Sequence, residues 1–360
     1  MKPFIRQISW WFRNEILAIP WRFISFAFIV LLFFIPLFTQ QPYILRVLII
    51  TNIFVLFAAS WDFLSGYTGQ FNLGHALFLG VAAYTAALLN THLGLQPWAT
   101  IPMGALVALI IGLIVALPAL RLRGLYLALV TLSFPIILIG IVNAFPDFLG
   151  GEVGIYGVEP LTSSRVLAYY MVLLIMLISV FIMWKLTDIK SKLVRIGIIL
   201  HAIREDEITA RASGIDTTRY KILAFAISGF LAGIAGGLYV HFVQVAGPST
   251  LAISLSFNAL LFTIFGGIMT IYGAVVGTYI LYPVIDFLRL NPFMDQIRII
   301  LMALMLIFVM LFMPGGLTRW IRDRIEVDCP RCKIINISSR RLCRVCSAPL
   351  HLDIKRKSGV

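Results

Sequence analysis

Long apolar runs separated by short polar segments dominate the chain and predict membrane-spanning helices. We expect about ten spans. The pattern sets them at 23–38, 44–60, a third that ends near residue 89, 98–117, 125–145, 166–184, 222–245, 255–265, a ninth that ends near residue 288, and 297–313. These runs are longer than the strands of a membrane barrel and do not alternate between apolar and polar positions. The chain is therefore predicted to be an all-α polytopic membrane protein.

Glycines interrupt the apolar pattern in two places, which predicts broken or re-entrant segments. The first is 66–84, GYTGQFNLGHALFLGVAAY, and the second is 266–277, GGIMTIYGAVVG. Backbone that leaves the helix inside a bilayer has to be buried in protein or line a watery cavity, and broken helices often mark the substrate site of a transporter. We expect Gln70, Asn72 and His75 to line a substrate pathway. Close packing of helices through small residues would produce the same glycine pattern.

An island of charge at 185–221 lies between the sixth and seventh spans. Within it, 205–214 (EDEITARASG) predicts a short amphipathic helix, because Ile208, Ala212 and Ile215 recur every three or four residues and so share one face. A short helix held between two spans fits a groove on a partner protein. The alternative is a solvated loop helix that has no partner.

This predicted helix carries two further signals. Glu207 and Arg211 are four residues apart, a spacing that favours an ion pair on the helix surface. Gly214 followed by Ile215 predicts the end of the helix, with the glycine in the left-handed conformation and an apolar residue directly after it.

Composition and charge agree with a membrane protein and indicate its orientation. The chain is 60% hydrophobic and 12% charged, with a mean hydropathy of +0.97 and a net charge of +13. Excess Lys and Arg residues collect in cytoplasmic loops, so this charge is not taken as a sign of nucleic-acid binding. An even number of spans places the basic segments and both termini in the cytoplasm. We divide the chain into an interfacial segment 1–22, a transmembrane domain 23–317 and a basic cytoplasmic tail 318–360.

The tail holds all four cysteines in two C-x2-C pairs, CPRC and CRVC. The cysteines are Cys329, Cys332, Cys343 and Cys346. Two such pairs complete a tetrahedral zinc site, and a reducing cytoplasm favours zinc over disulfides. A site with four protein ligands is closed, so we expect a structural zinc in a zinc-ribbon-like module. The basic residues around it could meet anionic lipid headgroups, form a solvated surface or touch nucleic acid, and a tail tethered to a membrane disfavours the last.

The sequence lacks the common signatures of an enzyme. No G-x4-G-K-[ST] sequence occurs, so the chain has no P-loop with which to hydrolyse ATP itself. HExxH and G-x-S-x-G are also absent. A proton- or sodium-driven carrier usually needs buried ionisable groups, and here Asp62 and Asp286 lie only near the predicted span boundaries. Their scarcity favours a transport protein whose energy source is another chain. An ATP-independent channel or carrier, and a membrane enzyme or zinc-dependent sensor that works through the tail, remain alternatives.

Several stretches resemble the membrane permease subunits of ABC importers for branched-chain amino acids, of the LivM type. Residues 66–84 are similar to GxTGQxSLGHAxFxGxGAY, 121–134 to RLRGxYFAxxTLAF, 204–214 to the coupling-helix sequence REDExAARAxG, 266–277 to GGxGTxxGPxxG and 312–317 to FxPxGL. The resemblance covers roughly 44–317. The tail from Arg319 lies outside it.

The chain departs from this family pattern at several positions. Asn72 replaces a serine, Thr209 an alanine, Met269 a glycine and Ala274 a proline. Two of these departures fall in the second glycine-broken segment.

The resemblance implies an assembly in a prokaryotic plasma membrane. The chain would pair with a second homologous permease and two ABC ATPase subunits, and an extracytoplasmic solute-binding protein would deliver the substrate. ATP would act only through the ATPase partner. The resemblance assigns ATPase coupling to Glu205, Glu207, Ala210, Ala212 and Gly214. Related permeases handle other amino acids, urea or amides, so those substrates remain alternatives to branched-chain amino acids.

Overall fold

A computed structural model describes residues 20–122, 124–188, 195–332, 335–343 and 345–350. Most of the predicted interfacial segment 1–22 and the last ten residues of the tail lie outside the described residues. The helices are α1 Pro20–Phe38, α2 Pro42–Trp61, α3 Ala76–Leu93, α4 Pro97–Ala119, α5 Leu125–Ala144, α6 Pro146–Leu149, α7 Arg165–Thr187, α8 Ile196–Glu205, α9 Glu207–Ala212, α10 Thr217–Val243, α11 Ile253–Gly266, α12 Ile271–Leu288, α13 Pro292–Phe312 and α14 Gly316–Ile325. The strands are β1 Ile155–Tyr156, β2 Val245–Ala246, β3 Glu326–Asp328 and β4 Ile335–Ile337.

The chain forms two compact units. Residues 41–316 form the membrane unit, and the described residues before 41 and after 316 form the other. In the described residues, eight helices are long and apolar enough to cross a membrane, and two shorter apolar helices, Phe23–Phe38 and Ile253–Gly266, accompany them. The protein is therefore mostly helical and multi-pass, as the apolar runs predict.

Helix α2 lies at the centre of the membrane unit. It contacts α7, α10, α11 and α12, and all of its residues from Ile49 to Trp61 are buried. A helix that is apolar on every side is buried either in protein or in a bilayer, and here other helices surround it. Its last turn passes directly into a π-helical turn, Asp62–Gly66. This turn leads into the first glycine-broken segment, so the central helix positions that segment.

Small residues bring α3, α4 and α10 into backbone contact. A Cβ added to Gly104 in α4 would lie 2.7 Å from the carbonyl oxygen of Ala82, and one added to Gly233 in α10 would lie 2.7 Å from the Cα of Ala105. Gly236 in α10 similarly faces the carbonyl oxygen of Leu79 with no room for a side chain. These glycines of α4 and α10 therefore serve close helix packing.

The loop between α5 and α7 is held by a short antiparallel ladder. Strand β1 pairs with β2, with Ile155 opposite Ala246 and Tyr156 opposite Val245. The second unit contains the other ladder, in which β3 pairs with β4 and Val327 lies opposite Asn336. This second hairpin carries the cysteine module.

Candidate functional site

The amphipathic helix predicted at 205–214 is in fact divided at Asp206. Glu205 ends α8, Asp206 is extended with φ −155° and ψ 107°, and α9 begins at Glu207. The Asp206 carboxylate caps α9 because Oδ1 accepts from the N–H groups of Ile208 at 2.8 Å and Thr209 at 3.2 Å. The Thr209 hydroxyl donates to Oδ2 at 2.8 Å, and these bonds lower the pKa of Asp206. The predicted start of this helix at Glu205 is therefore wrong. The helix begins at Glu207, because the Asp206 side chain caps it and so ends α8 at Glu205.

The C-terminal end of α9 confirms the prediction at Gly214. This glycine has φ +83°, in the left-handed region. The Ile215 N–H donates to the carbonyl of Ala210 at 3.1 Å, and the Gly214 N–H donates to that of Arg211 at 2.9 Å. This pair of bonds defines a Schellman motif, which satisfies the last carbonyls of the helix. Helix α9 is thus a single, capped unit of six residues.

Glu207 connects α9 to the start of α10. Its carboxylate contacts the Lys221 ammonium at 2.8 Å and the Arg211 guanidinium at 2.7 Å, and it accepts from the Thr217 hydroxyl at 3.2 Å. The Glu207 and Lys221 side chains are only 17% and 12% exposed. Partial burial would raise the pKa of Glu207, but the contacts with Lys221, Arg211 and Thr217 outweigh it and lower the pKa. The predicted pair with Arg211 is confirmed, and Lys221 is a partner that the helix spacing could not reveal.

The residues predicted to couple to an ATPase divide between two faces. Ala210 is buried against its own chain, and Glu207 faces α10. Glu205, Ala212 and Gly214 are exposed. Beside them Ile208 is 69% exposed, so the outer face of α9 presents an apolar side chain to the surroundings.

The predicted pathway residues are all buried around the first break. His75 is enclosed between Phe57 and Phe78, with ring centroids 4.7 and 5.4 Å away, and its Nε2 is 2.9 Å from the Ser60 hydroxyl. Gln70 is buried as well, and its only described side-chain bond, with Thr68, is 3.5 Å long. In this conformation these side chains are closed off from solvent.

Asn72 satisfies the backbone of the first break. Its side-chain oxygen accepts from the Gly74 N–H at 2.8 Å, and its own N–H donates to the Ser65 hydroxyl at 3.1 Å. Its carbonyl accepts from the Trp61 indole at 2.7 Å. Backbone outside a helix survives at membrane depth only when such partners are present. The residues at the end of α2 therefore support the broken segment.

The second break, residues 267–270, meets the first at Asp62. Asp62 Oδ1 accepts from the Met269 N–H at 2.9 Å, and Gly66 is packed against the same carboxylate with no room for a Cβ. Met269 has φ +63°, a conformation that favours glycine, which is the residue the resembling family has there. In the sequence, Asp62 is marked only as an acid near a predicted span boundary. A carboxylate at the end of an apolar run was the available signal.

Three buried polar atoms in this region have no hydrogen-bond partner among the described residues. They are Asp62 Oδ2, Asn72 Nδ2 and His75 Nδ1. Most buried polar groups in proteins are paired, and unpaired ones often mark functional positions. The two breaks thus enclose a polar centre inside an apolar unit.

An open depression of about 440 Å³ lies at the end of the membrane unit where α2 and α7 begin. Arg46 and Arg165 line it together with the apolar side chains of Ile50, Leu161 and Val172. Within the described residues, neither arginine forms an ion pair. A lining that combines guanidinium groups with apolar side chains suits a small solute that has a carboxylate and an apolar side chain.

The four cysteines converge as their spacing predicts. The sulfur atoms of Cys329, Cys332, Cys343 and Cys346 all lie within 4.8 Å of one another. The Cys329–Cys346 and Cys332–Cys343 sulfurs are each 3.5 Å apart. Tetrahedral zinc with bonds of about 2.3 Å would place sulfurs about 3.8 Å apart.

Local donors suit thiolates in this cluster. The backbone N–H groups of Cys346 and Val345 lower the pKa of Cys343 to about 6, and those of Cys332 and Arg331 lower that of Cys329. Thiolates are the form that binds metal. Ser347, at the position where zinc knuckles often have glycine, has φ +53°. The donor set therefore fits a metal ion.

Broken helices that meet inside a bundle of spans define a class of protein, the integral membrane transporters. Within that class the chain belongs to the family described as branched-chain amino acid transport system / permease component, whose profile matches residues 43–310, and it is LivM-like. It is accordingly a transport subunit rather than an enzyme.

Several relatives align over most of the chain. The permease protein LivM of the high-affinity branched-chain amino acid transport system of Salmonella typhimurium is 28% identical over 79% of this chain and 72% of its own length. LivM of Escherichia coli is 28% identical over 77% of this chain and 70% of its own length. The probable branched-chain amino acid transport permease protein LivH of Methanocaldococcus jannaschii is 30% identical over 65% of this chain and 76% of its own length.

Proposed function

We propose that this protein is the permease subunit of an ATP-driven ABC importer for branched-chain amino acids, and that α9 is its coupling helix. It pairs with a second homologous permease and two ATPase subunits, and it receives substrate from an extracytoplasmic solute-binding protein. The observation that carries the proposal is the geometry of α9. It is capped at both ends, attached on its inner side through Glu207 and apolar on its outer side at Ile208.

This geometry suits a part that transmits force between chains. A six-residue helix is not stable alone, so the Asp206 cap, the Gly214 end and the Lys221 contact are what keep α9 in one shape. A groove on an ATPase that grips Ile208 and Ala212 would therefore displace α8 and α10 with it.

The substrate pathway runs beside the two breaks. We assign Gln70, Asn72 and His75 to it, because they are buried polar residues at a break and two of them carry unpaired atoms. The depression lined by Arg46 and Arg165 would receive the amino acid on the outer side of the membrane. The carboxylate of the amino acid would lie near the arginines, and its side chain would contact the apolar residues of the lining.

The topology we propose has ten spans and cytoplasmic termini, in the plasma membrane of a prokaryote. The eight long apolar helices and the shorter α1 and α11 support this count. It divides the chain into the segment 1–22, the transmembrane domain 23–317 and the tail 318–360. The positive-inside rule then places α9 and the cysteine tail in the cytoplasm, where an ATPase can reach α9.

The tail completes the proposal with a structural zinc ion. Cys329, Cys332, Cys343 and Cys346 would hold it with four thiolates, in a closed site that supplies folding stability and no catalysis. Zinc measured well below one equivalent per chain in reduced, purified protein would contradict this assignment.

The experiment that tests the function compares two equally exposed apolar side chains. Ile208 on α9 is 69% exposed and Val153 in the loop before β1 is 67% exposed. In the complex reconstituted into liposomes, Ile208→Asp should abolish ATP-dependent uptake of leucine and lose the co-purifying ATPase. Val153→Asp should leave both unchanged.

Each alternative gives a different result in the same liposomes. Normal uptake by Ile208→Asp would contradict the role of α9, and uptake without any ATPase would favour an ATP-independent carrier. Competition by other amino acids, urea or amides, with no response to leucine, isoleucine or valine, would keep the importer but change its substrate.

A further inference from the structure

Asp62 holds the two broken segments together from inside a π-helical turn. Such turns are rare inside helices and frequently occur at functional sites. The Asp62 side chain is fully buried, and its Oδ1 accepts from the Met269 N–H of the second break at 2.9 Å. The carboxylate also packs against Gly66, where the first break begins. A movement of Asp62 would therefore reach both segments.

The second carboxylate oxygen of Asp62 is unused. Oδ2 is buried and has no hydrogen-bond partner among the described residues. A buried carboxylate oxygen without a partner costs free energy. A donor or cation that contacts Oδ2 in another conformation would therefore remove a free-energy cost that this conformation retains.

Arg204 is a cation whose charge reaches this position. Its charge acts on the Asp62 carboxylate, and it forms no ion pair within the part of the chain that the structure describes. A guanidinium on a long flexible side chain is well suited to reach a carboxylate and bind it through two hydrogen bonds.

Arg204 belongs to α8, which lies directly against the first break. A Cβ on Gly69 would stand 3.6 Å from the Arg204 Cγ, and the Tyr67 ring meets the His201 ring edge-on at 5.3 Å. Only Asp206 separates the end of α8 from α9. A displacement of α9 therefore moves Arg204 relative to the segment that Asp62 holds.

We propose that Arg204 and Asp62 Oδ2 form a buried ion pair in a second conformation of the transport cycle, and that this pair transmits the movement of α9 to both broken segments. Asp62 is then a positioning residue, with Oδ1 fixed on the second break and Oδ2 available to α8. This inference rests on the proposed function, because it needs an ATPase that displaces α9.

A double-mutant cycle in the reconstituted complex tests the pair. Asp62→Asn keeps an oxygen that accepts from the Met269 N–H but removes the charge, and Arg204→Gln removes the cation. The readout is substrate taken up per ATP hydrolysed, because a merely structural defect would lower assembly or both rates together. We expect each single variant to lose about tenfold in this ratio, and the double variant to lose no more than either.

Two further variants serve as controls. Arg204→Lys retains the charge and should recover most of the ratio, which the loss of a packing contact would not. Arg219→Gln removes an exposed cation that pairs with Asp216 at the start of α10, and it should leave the ratio unchanged. ATPase co-purification verifies that every variant assembles.

Failure of the ion pair and failure of the proposed importer function give different results in these experiments. If wild-type uptake is ATP-driven but the losses of the two single variants multiply in the double variant, Arg204 and Asp62 act independently and the ion pair is refuted. If the wild-type complex itself shows no ATP-driven uptake, the proposed function fails and the ion pair fails with it. A normal ratio in both single variants would overturn the ion pair alone.

Discussion

Replacing Glu207 by glutamine should loosen α9 from the membrane unit. The change leaves the Lys221 ammonium, which is only 12% exposed, without its carboxylate at 2.8 Å. A hydrogen bond to a charged group contributes about 1.5–3 kcal/mol, so we expect a loss of about 2 kcal/mol in the attachment of α9. That energy corresponds to a change of roughly thirtyfold in the equilibrium between attached and detached α9.

The matched control is Arg211→Gln, which removes the other cation of Glu207. Arg211 is 52% exposed, and its exposed pair with Glu207 contributes about 0.5 kcal/mol, or roughly a twofold change. The variant also loses the hydrogen bond that the Arg211 Nε donates to the Thr217 hydroxyl at 2.8 Å. Both variants keep the Asp206 cap and the Gly214 end, so they test attachment alone.

Hydrogen exchange of the amides at 207–212 measures the detachment, and ATP-dependent uptake measures its consequence. Glu207→Gln should speed the exchange of α9 far more than Arg211→Gln, and uptake should fall in the same order. Equal exchange in the two variants would refute the reasoning, because it would mean that the half-buried contact with Lys221 carries no more energy than the exposed one.

Four further results are expected. The contacts of Glu207 lower its folded-state pKa from the usual 4.5. The stabilisation of α9 by this carboxylate is therefore present above pH 4.5 and is lost as the pH falls through the folded-state pKa. We expect the protection of the α9 amides from hydrogen exchange to decrease only in acid. Met269→Gly should raise the thermal stability of the detergent-solubilised protein or leave it unchanged, since φ +63° costs a non-glycine residue about 1 kcal/mol; a marked loss would contradict this. Cys343→Ser should lower bound zinc from one equivalent per chain to a small fraction, measured by atomic absorption, while uptake tests whether the tail matters for transport. Arg165→Gln should raise the KM for leucine several-fold with an unchanged maximal rate, and an unchanged KM would remove the depression from the pathway.

The elements of this protein that sequence predicts best are those with local causes. Apolar runs predict the spans because the bilayer core favours apolar side chains and a helix pairs its own backbone polar groups there. Gly214 predicts a helix end because glycine adopts the left-handed conformation without steric cost. Two C-x2-C pairs bring four sulfurs together because each pair needs only one tight turn.

The features that sequence missed depend on distant partners or on competition between neighbours. Asp62 binds an N–H that is 207 residues away, and nothing near it in the chain indicates that contact. Asp206 divides the predicted helix because its carboxylate caps α9 instead of continuing α8. The sequence around Asp206 is compatible with either a cap or a continuous helix. Lys221 reaches Glu207 only because α10 folds back beside α9.

The glycine contacts described above also restrict how the membrane unit can move. No methyl group fits where Gly236 meets Leu79 in the group formed by α3, α4 and α10, or where Gly266 meets Gly273 between α11 and α12. Surfaces interlocked this closely cannot slide past one another without first separating. We therefore expect the group formed by α3, α4 and α10, and the pair formed by α11 and α12, each to move as a rigid unit in the transport cycle proposed above.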